Sequence, residues 1–206
     1  GSTGKPKGVG VTHGNVAHST CARLDYYQTR VSSFLLLSSI AFDSSVAGIF
    51  GTLCQGSRLV LSTEDAVLDP DTLVQIISAY QISHLLTVPS LYEEILQKIS
   101  YKKGNGLKQI IVAGEPCRKN LVELHDIHLP QVELFNEYGP TETTVWSSVY
   151  QCNKANDHVI PIGRPIPNTQ IYLLDMQCNP VPVGVIGELY IGGEGLTRGY
   201  LNRADV

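Results

Sequence analysis

Apolar runs and helically spaced segments take turns along most of the chain. Val31 to Leu37, Arg58 to Leu61, His84 to Val88, Gln109 to Ala113 and Val132 to Asn136 read as strands. Asp69 to Tyr80, Ser90 to Ile99 and Lys119 to His128 read as helices. Nearer the start, a strand is expected at Val9 to Thr12, with Asn15 capping a helix towards Tyr27. Asp43 or Ser44 is placed to cap a second helix through Phe50. Strands separated by helices predict βαβ units and a parallel sheet. After about Gln151 the pattern changes: Gly, Pro and Asn become frequent, and only Ile171 to Leu174 and Gly187 to Ile191 read as strands. The expectation is an α/β part over residues 1–151 and a smaller β-rich part over 152–206, with no internal repeat.

Composition narrows the function classes. The chain has 206 residues, 43% hydrophobic and 17% charged, a balance that supports a sizeable packed core. The net charge of -4, with no basic run, argues against a nucleic-acid surface, so an anion would be held by a few local groups. Cys21, Cys54, Cys117, Cys152 and Cys178 are scattered, odd in number and without a Cys-x-x-Cys pair. They read as reduced, mostly buried thiols of a cytoplasmic protein. No run reaches the roughly 20 apolar residues of a membrane helix, and no signal peptide is visible. A glycine-rich turn normally follows a strand, so a chain opening on Gly1-Ser2-Thr3-Gly4 is expected to begin in mid-fold.

Gly1 to Gly8 reads Gly-Ser-Thr-Gly-Lys-Pro-Lys-Gly. Its glycines let backbone amides approach an anion, its hydroxyls donate and its lysines supply charge, so it is a phosphate loop or a solvated turn. It is not a Walker loop, because Pro6 follows Lys5. Gly192-Gly193-Glu194-Gly195 misses the dinucleotide pattern. His125 and His128 share a helical face but lack a third ligand, and an exposed helix end is expected there rather than a metal site.

Four segments in order carry a family resemblance. They are Gly1 to Gly8; Phe42-Asp43-Ser44-Ser45; Asn136-Glu137-Tyr138-Gly139-Pro140-Thr141-Glu142; and Gly187-Glu188-Leu189-Tyr190-Ile191-Gly192-Gly193 followed by Arg198-Gly199-Tyr200. Together they resemble the adenylation domain of nonribosomal peptide synthetases, a branch of the AMP-binding, adenylate-forming superfamily. The resemblance covers the whole chain and implies the α/β core of that fold, truncated at both ends. The strand before Gly1, a Tyr-x-Thr-Gly-Asp segment beyond Val206 and the small C-terminal domain with its catalytic lysine would be missing. It implies that an amino acid and ATP give aminoacyl-adenylate and pyrophosphate. The acyl group then passes to the phosphopantetheine of a carrier domain, beside condensation domains. A piece lacking those parts is expected to be weak or inactive alone.

By the same resemblance, Ser2, Thr3, Gly4, Lys5 and Lys7 would close over the β- and γ-phosphates. Thr141 would meet the α-phosphate, and Glu142 would hold Mg2+. Gly114, Glu115 and Pro116 would wall the adenine slot opposite Tyr138 and Gly139, with Asn136 at the adenine edge. Asp43 would pair with the substrate's α-amino group. Ser44, Ala47, Thr87, Ile111, Ala113, Glu137, Val145 and Trp146 would line the side-chain pocket. Spacing supports part of this: Asp43, Ser44 and Ala47 can share a helical face, and Ile111 and Ala113 one side of a strand. Glu137 either accepts from a hydroxyl, meets a cation, or faces water at the rim; small residues at Ser44 and Ala47 lean the reading towards an aromatic amino acid such as tyrosine. Two rivals remain. An acyl- or aryl-acid CoA ligase has no amine for Asp43 to meet, and a non-catalytic remnant would not be expected to keep Lys5, Asp43, Thr141 and Glu142 together.

Overall fold

The computed structural model describes residues 7–99, 106–152 and 159–202. Five strands form a parallel sheet: β1 (Ser33–Leu36), β2 (Arg58–Leu61), β3 (His84–Thr87), β4 (Gln109–Ala113) and β5 (Glu133–Tyr138). Two short antiparallel strands, β6 (Ser148–Gln151) and β7 (Arg164–Pro165), extend it in the order β2-β1-β3-β4-β5-β6-β7. β7 lies beyond residue 151 yet joins this sheet, at the edge, where a proline is tolerated. A separate antiparallel pair, β8 (Thr169–Leu174) and β9 (Glu188–Gly193), makes up the later β-rich part.

Helices cover both faces of the parallel strands, as buried parallel sheets require. Side chains alternate across the pleat. Leu35, Leu85, Ile110, Val112 and Leu134 pack with α4 (Pro70–Ala79), α5 (Pro89–Lys98) and α6 (Lys119–His128). Phe34, Leu36, Leu86, Ile111 and Phe135 face the other way, towards α1 (His13–Tyr26) and α2 (Ser44–Leu53). A short helix, α3 (Glu64–Val67), precedes α4.

Several local expectations are corrected. Val9 forms an isolated bridge to Tyr200 instead of a strand at Val9 to Thr12. Thr12, not Asn15, caps α1; Asn15 sits at the third helical position and closes a reciprocal capping box with it. Asp43 occupies the cap position of α2 in helical backbone geometry and makes no side-chain cap bond. His125 is buried, its ring nitrogens engaging the Tyr92 hydroxyl at 2.5 Å and the Val132 carbonyl at 2.8 Å. Cys117 and Cys152 are buried, whereas Cys21, Cys54 and Cys178 are exposed, so the thiols are not mostly buried. No helix among the described residues is long and apolar enough to cross a membrane.

Candidate functional site

The C-terminal ends of β3, β4 and β5 open into a cleft of about 470 Å3, where a parallel sheet ordinarily offers its binding site. Asp43 and Ser44 at the start of α2, Thr87 and Ala113 at the ends of β3 and β4, and Gly114, Gly139 and Val145 from the loops meet there. A second cleft of about 650 Å3 lies against Asp43 and Val145, walled by Thr12 and His13 at the start of α1 and by Arg198, Gly199 and Tyr200. Asp43 and Val145 therefore line both spaces. The Asp43 carboxylate has one oxygen, Oδ2, that is buried and without a hydrogen-bond partner among the described residues. A buried carboxylate oxygen left unpaired is costly, and a cation placed against it would remove that cost.

The loop after β5 holds an unusual backbone. Thr144 and Val145 adopt φ of 61° and 78°, a left-handed region that β-branched residues rarely enter. Surrounding bonds hold them: Thr144 donates its hydroxyl to the Gly195 carbonyl at 2.7 Å, and the Trp146 amide donates to Thr144 at 3.0 Å. Gly139 closes against this loop, and a Cβ there would stand 2.4 Å from Trp146 Cα, so no side chain fits. Such strain accumulates where a loop must present specific atoms.

Glu137 and Trp146 line neither cleft; they form a floor beneath Arg23 and Tyr27, which line a cavity behind the mouth. Glu137 on β5 is buried and accepts from the two terminal nitrogens of the Arg23 guanidinium, at 2.5 Å and 2.9 Å, and from the Tyr27 hydroxyl. Burial alone would pull Arg23 down, but the adjacent Glu137 carboxylate wins and holds it above its ordinary pKa. Burial, then Glu137, pushes the Tyr27 phenol well up. Trp146 is fully buried, donates to the Ser19 carbonyl at 3.2 Å, stacks with Tyr27 and carries the Arg23 guanidinium 4.3 Å from its ring centre. Glu137 and Trp146 thus face α1, and the acid's partners belong to the protein itself. Arg23 and Tyr27 went unnoticed in the sequence because nothing local marks a residue of α1 as the partner of an acid on β5.

The remaining candidates divide. Ser2, Thr3, Gly4 and Lys5 lie outside the described residues. Lys7 is exposed, with its ammonium 4.9 Å from the Tyr200 ring centre, and the Tyr200 hydroxyl donates to Glu142. Those contacts bring Lys7, Tyr200 and Glu142 together from three distant segments. Tyr200 belonged to a recognised motif but was not singled out as a site residue. Thr141 and Glu142 sit in a single 3-10 turn, Thr141–Thr143. Glu115 accepts from the backbone and hydroxyl of Ser90, both at 3.1 Å, and lines with Pro116 a neighbouring cleft, not the one holding Gly114. Asn136 is buried and donates to the Pro161 carbonyl at 2.9 Å, while Tyr138, at the end of the same strand, is exposed. Ala47 and Ile111 line a deeper cavity behind the mouth.

A family model described as AMP-binding enzyme matches residues 1–201. The chain belongs to the AMP-binding enzyme family. It is 41% identical over 207 residues to bacitracin synthase 3 of Bacillus licheniformis, across 100% of this chain and 3% of that protein. Tyrocidine synthase 3 of Brevibacillus parabrevis is 39% identical over 207 residues, again across 100% of this chain and 3% of that one. The chain thus spans a small fraction of these nonribosomal peptide synthetases. Among solved structures, the nonribosomal peptide synthetase FmoA3 in its α-methyl-L-serine-AMP-bound form matches with a TM-score of 0.91 and 29% identity, over 98% of this chain and 24% of that chain. The parallel-sheet architecture is that of the adenylate-forming fold, of which this chain covers a portion.

Proposed function

We propose that this chain is the substrate-binding core of an adenylation domain that activates an amino acid for nonribosomal peptide synthesis. One oxygen of the amino acid's carboxylate attacks the α-phosphorus of ATP, and pyrophosphate leaves with the electrons of the broken P–O bond. The carboxylate is already ionised at neutral pH, so no general base is required. Catalysis reduces to alignment and to neutralising charge on the phosphates. The observation that carries the reading is the unpaired, buried Oδ2 of Asp43 at the cleft mouth. It is a ready partner for the α-ammonium group, and an acid lacking an amine would leave it unsatisfied.

In this reading Ser2, Thr3, Gly4, Lys5 and Lys7 hold the outer phosphates and Thr141 the α-phosphate. Gly114, Tyr138 and Gly139 frame the adenine, with Glu115 and Pro116 in the adjoining cleft and Asn136 bonded to the Pro161 carbonyl. Ser44, Ala47, Thr87, Ile111, Ala113 and Val145 surround the side chain, with Glu137 and Trp146 behind it. Glu142 suits Mg2+ as a hard carboxylate donor. The described residues hold no cluster of three or more candidate ligands, so phosphate oxygens and water would complete the shell. Bound there, the ion would neutralise phosphate charge. The adenylate would then pass to the phosphopantetheine thiol of a carrier domain, next to condensation domains, in the cytoplasm.

The test is ATP–pyrophosphate exchange by the protein carrying this chain, across amino acids and simple carboxylic acids. Exchange that depends on one amino acid and collapses in Asp43→Ala is the expected result. Exchange supported equally by acids without an amine would move the protein to the acyl-ligase branch, and none from a folded, ATP-binding protein would leave a binding module.

A further inference from the structure

Behind the mouth, between α1, α2 and the sheet, lies a second, more enclosed cavity of about 30 Å3, room for roughly two waters. Leu86 lines both this cavity and the mouth cleft, so the two spaces meet at one side chain. On α2, Ala47 and Gly51 follow Asp43 at successive steps of four and leave its inner face low. The strand side is apolar, with Phe34, Leu86 and Ile111. At the far end stands Gln109, only 2% exposed, whose Oε1 is buried and has no hydrogen-bond partner among the described residues.

The other polar groups in these walls are spent. Arg23 and Tyr27 are committed to Glu137, and the Thr29 hydroxyl donates to Glu133 at 2.8 Å. His84 contacts the Thr29 carbonyl at 3.2 Å and the Ser83 hydroxyl at 2.8 Å. Gln55 donates to the Gly51 carbonyl at 2.7 Å and accepts from the Val31 amide at 3.4 Å. Among the described residues the cavity therefore presents an apolar wall, a neutralised charge pair and one unused acceptor.

We infer that this cavity receives the far end of the substrate's side chain, and that it selects an elongated, uncharged side chain whose tip donates a hydrogen bond to Gln109. The inference rests on the amino-acid adenylation reading and extends it to a substrate class. Scale agrees: Asp43 to Gly51 is about 12 Å along α2, and Ala113 to Gln109 is about 13 Å along β4. An amine on Asp43 and a tip on Gln109 thus fit a side chain of aryl length, such as a phenol. Ala47 and Gly51 leave the passage open, and the tip displaces the water that would otherwise answer Gln109. Arg23 decides what is refused: it already occupies Glu137, so a basic side chain finds no free carboxylate. In this site Arg23 acts as a positioning residue and Gln109 as the specificity contact.

The experiment is pyrophosphate exchange by the protein carrying this chain, on matched pairs that differ only at the tip. L-tyrosine is set against L-phenylalanine and 5-hydroxy-L-norvaline against L-norvaline, with L-alanine and L-lysine as small and basic controls. The expected result is a donor-bearing substrate preferred over its partner by at least about tenfold in kcat/KM, as a built polar site rejects the analogue lacking the group. Gln109→Leu should close that gap. Gly51→Ala adds a methyl 3.5 Å from Arg23 Cδ, an ordinary contact that lets the variant fold. It should lower kcat/KM for the long substrate several-fold more than for L-alanine. A preference for L-alanine, L-lysine or the donor-free partner overturns the inference while leaving adenylation standing, as do variants that leave the ranking intact. No exchange with any amino acid overturns the adenylation reading and this inference with it.

Discussion

The mouth and the floor of the site each hold a carboxylate, and the two are treated in opposite ways. Asp43 at the mouth has a buried oxygen with no partner among the described residues. Glu137 at the floor is ringed by Arg23 and Tyr27 and wrapped by Trp146. A carboxylate left wanting at a cleft is open to a ligand, whereas one fully answered by its own protein is not. Of the readings offered for Glu137, a rim residue facing water is excluded by its burial, and the cation and hydroxyl it meets are those of Arg23 and Tyr27 rather than a substrate's. A residue type in the right motif does not reveal whether its bonding capacity is still free.

The contrast can be broken most directly at the floor. Arg23→Met should cost about 3 to 5 kcal/mol in denaturant unfolding, because it strands Glu137 as a buried, unpaired charge. The double variant with Glu137→Gln should recover most of that loss. A single-variant cost below about 1 kcal/mol would show that the floor is not a committed ion pair.

Acid attacks the same region next. His84 lines the floor cavity, and burial pushes it down to about 4 from its ordinary 6.5. The unfolded chain then binds the proton before the folded one does. Stability present above pH 6.5 is therefore lost as pH falls towards 4, by a contribution on the order of 3 kcal/mol. Unfolding free energies at pH 7 and 4.5, for wild type and His84→Gln, should show the smaller acid loss in the variant; equal losses would remove His84 from the account.

The smallest effect on stability belongs to the mouth. Asp43→Ala should not lower it and should raise it by about 1 kcal/mol, since no cap bond is lost and a buried, unpaired oxygen is removed. It should nevertheless abolish amino-acid-dependent exchange. A thermal scan showing a loss above about 2 kcal/mol would make Asp43 a structural residue and erase the contrast.

The periodic part of the fold was readable in advance. Arg58 to Leu61, Gln109 to Ala113 and Lys119 to His128 coincide with β2, β4 and α6. Their apolar spacing is a local property, and packing did not override it. What escaped reading was short or cooperative. β6 and β7 have four and two residues and exist because β5 offers an open edge. Thr12 took the cap from Asn15 because the box needs both side chains, a choice settled by backbone geometry. The left-handed Thr144 and Val145 carry no local signal, since their residue types argue against that conformation.

By itself, the sequence determined the alternation of strand and helix, the four motifs and the placing of an acid just ahead of α2. These rest on spacing along the chain, where neighbours in sequence are neighbours in space. Only the tertiary structure decided which acid is satisfied and which is left open. Arg23 and Glu137 are 114 positions apart, and their pairing exists because β5 runs beside β4 under α1. Burial then gives the pair its weight: in water those charges would attract weakly, whereas in the dry floor of the sheet neither can be left alone.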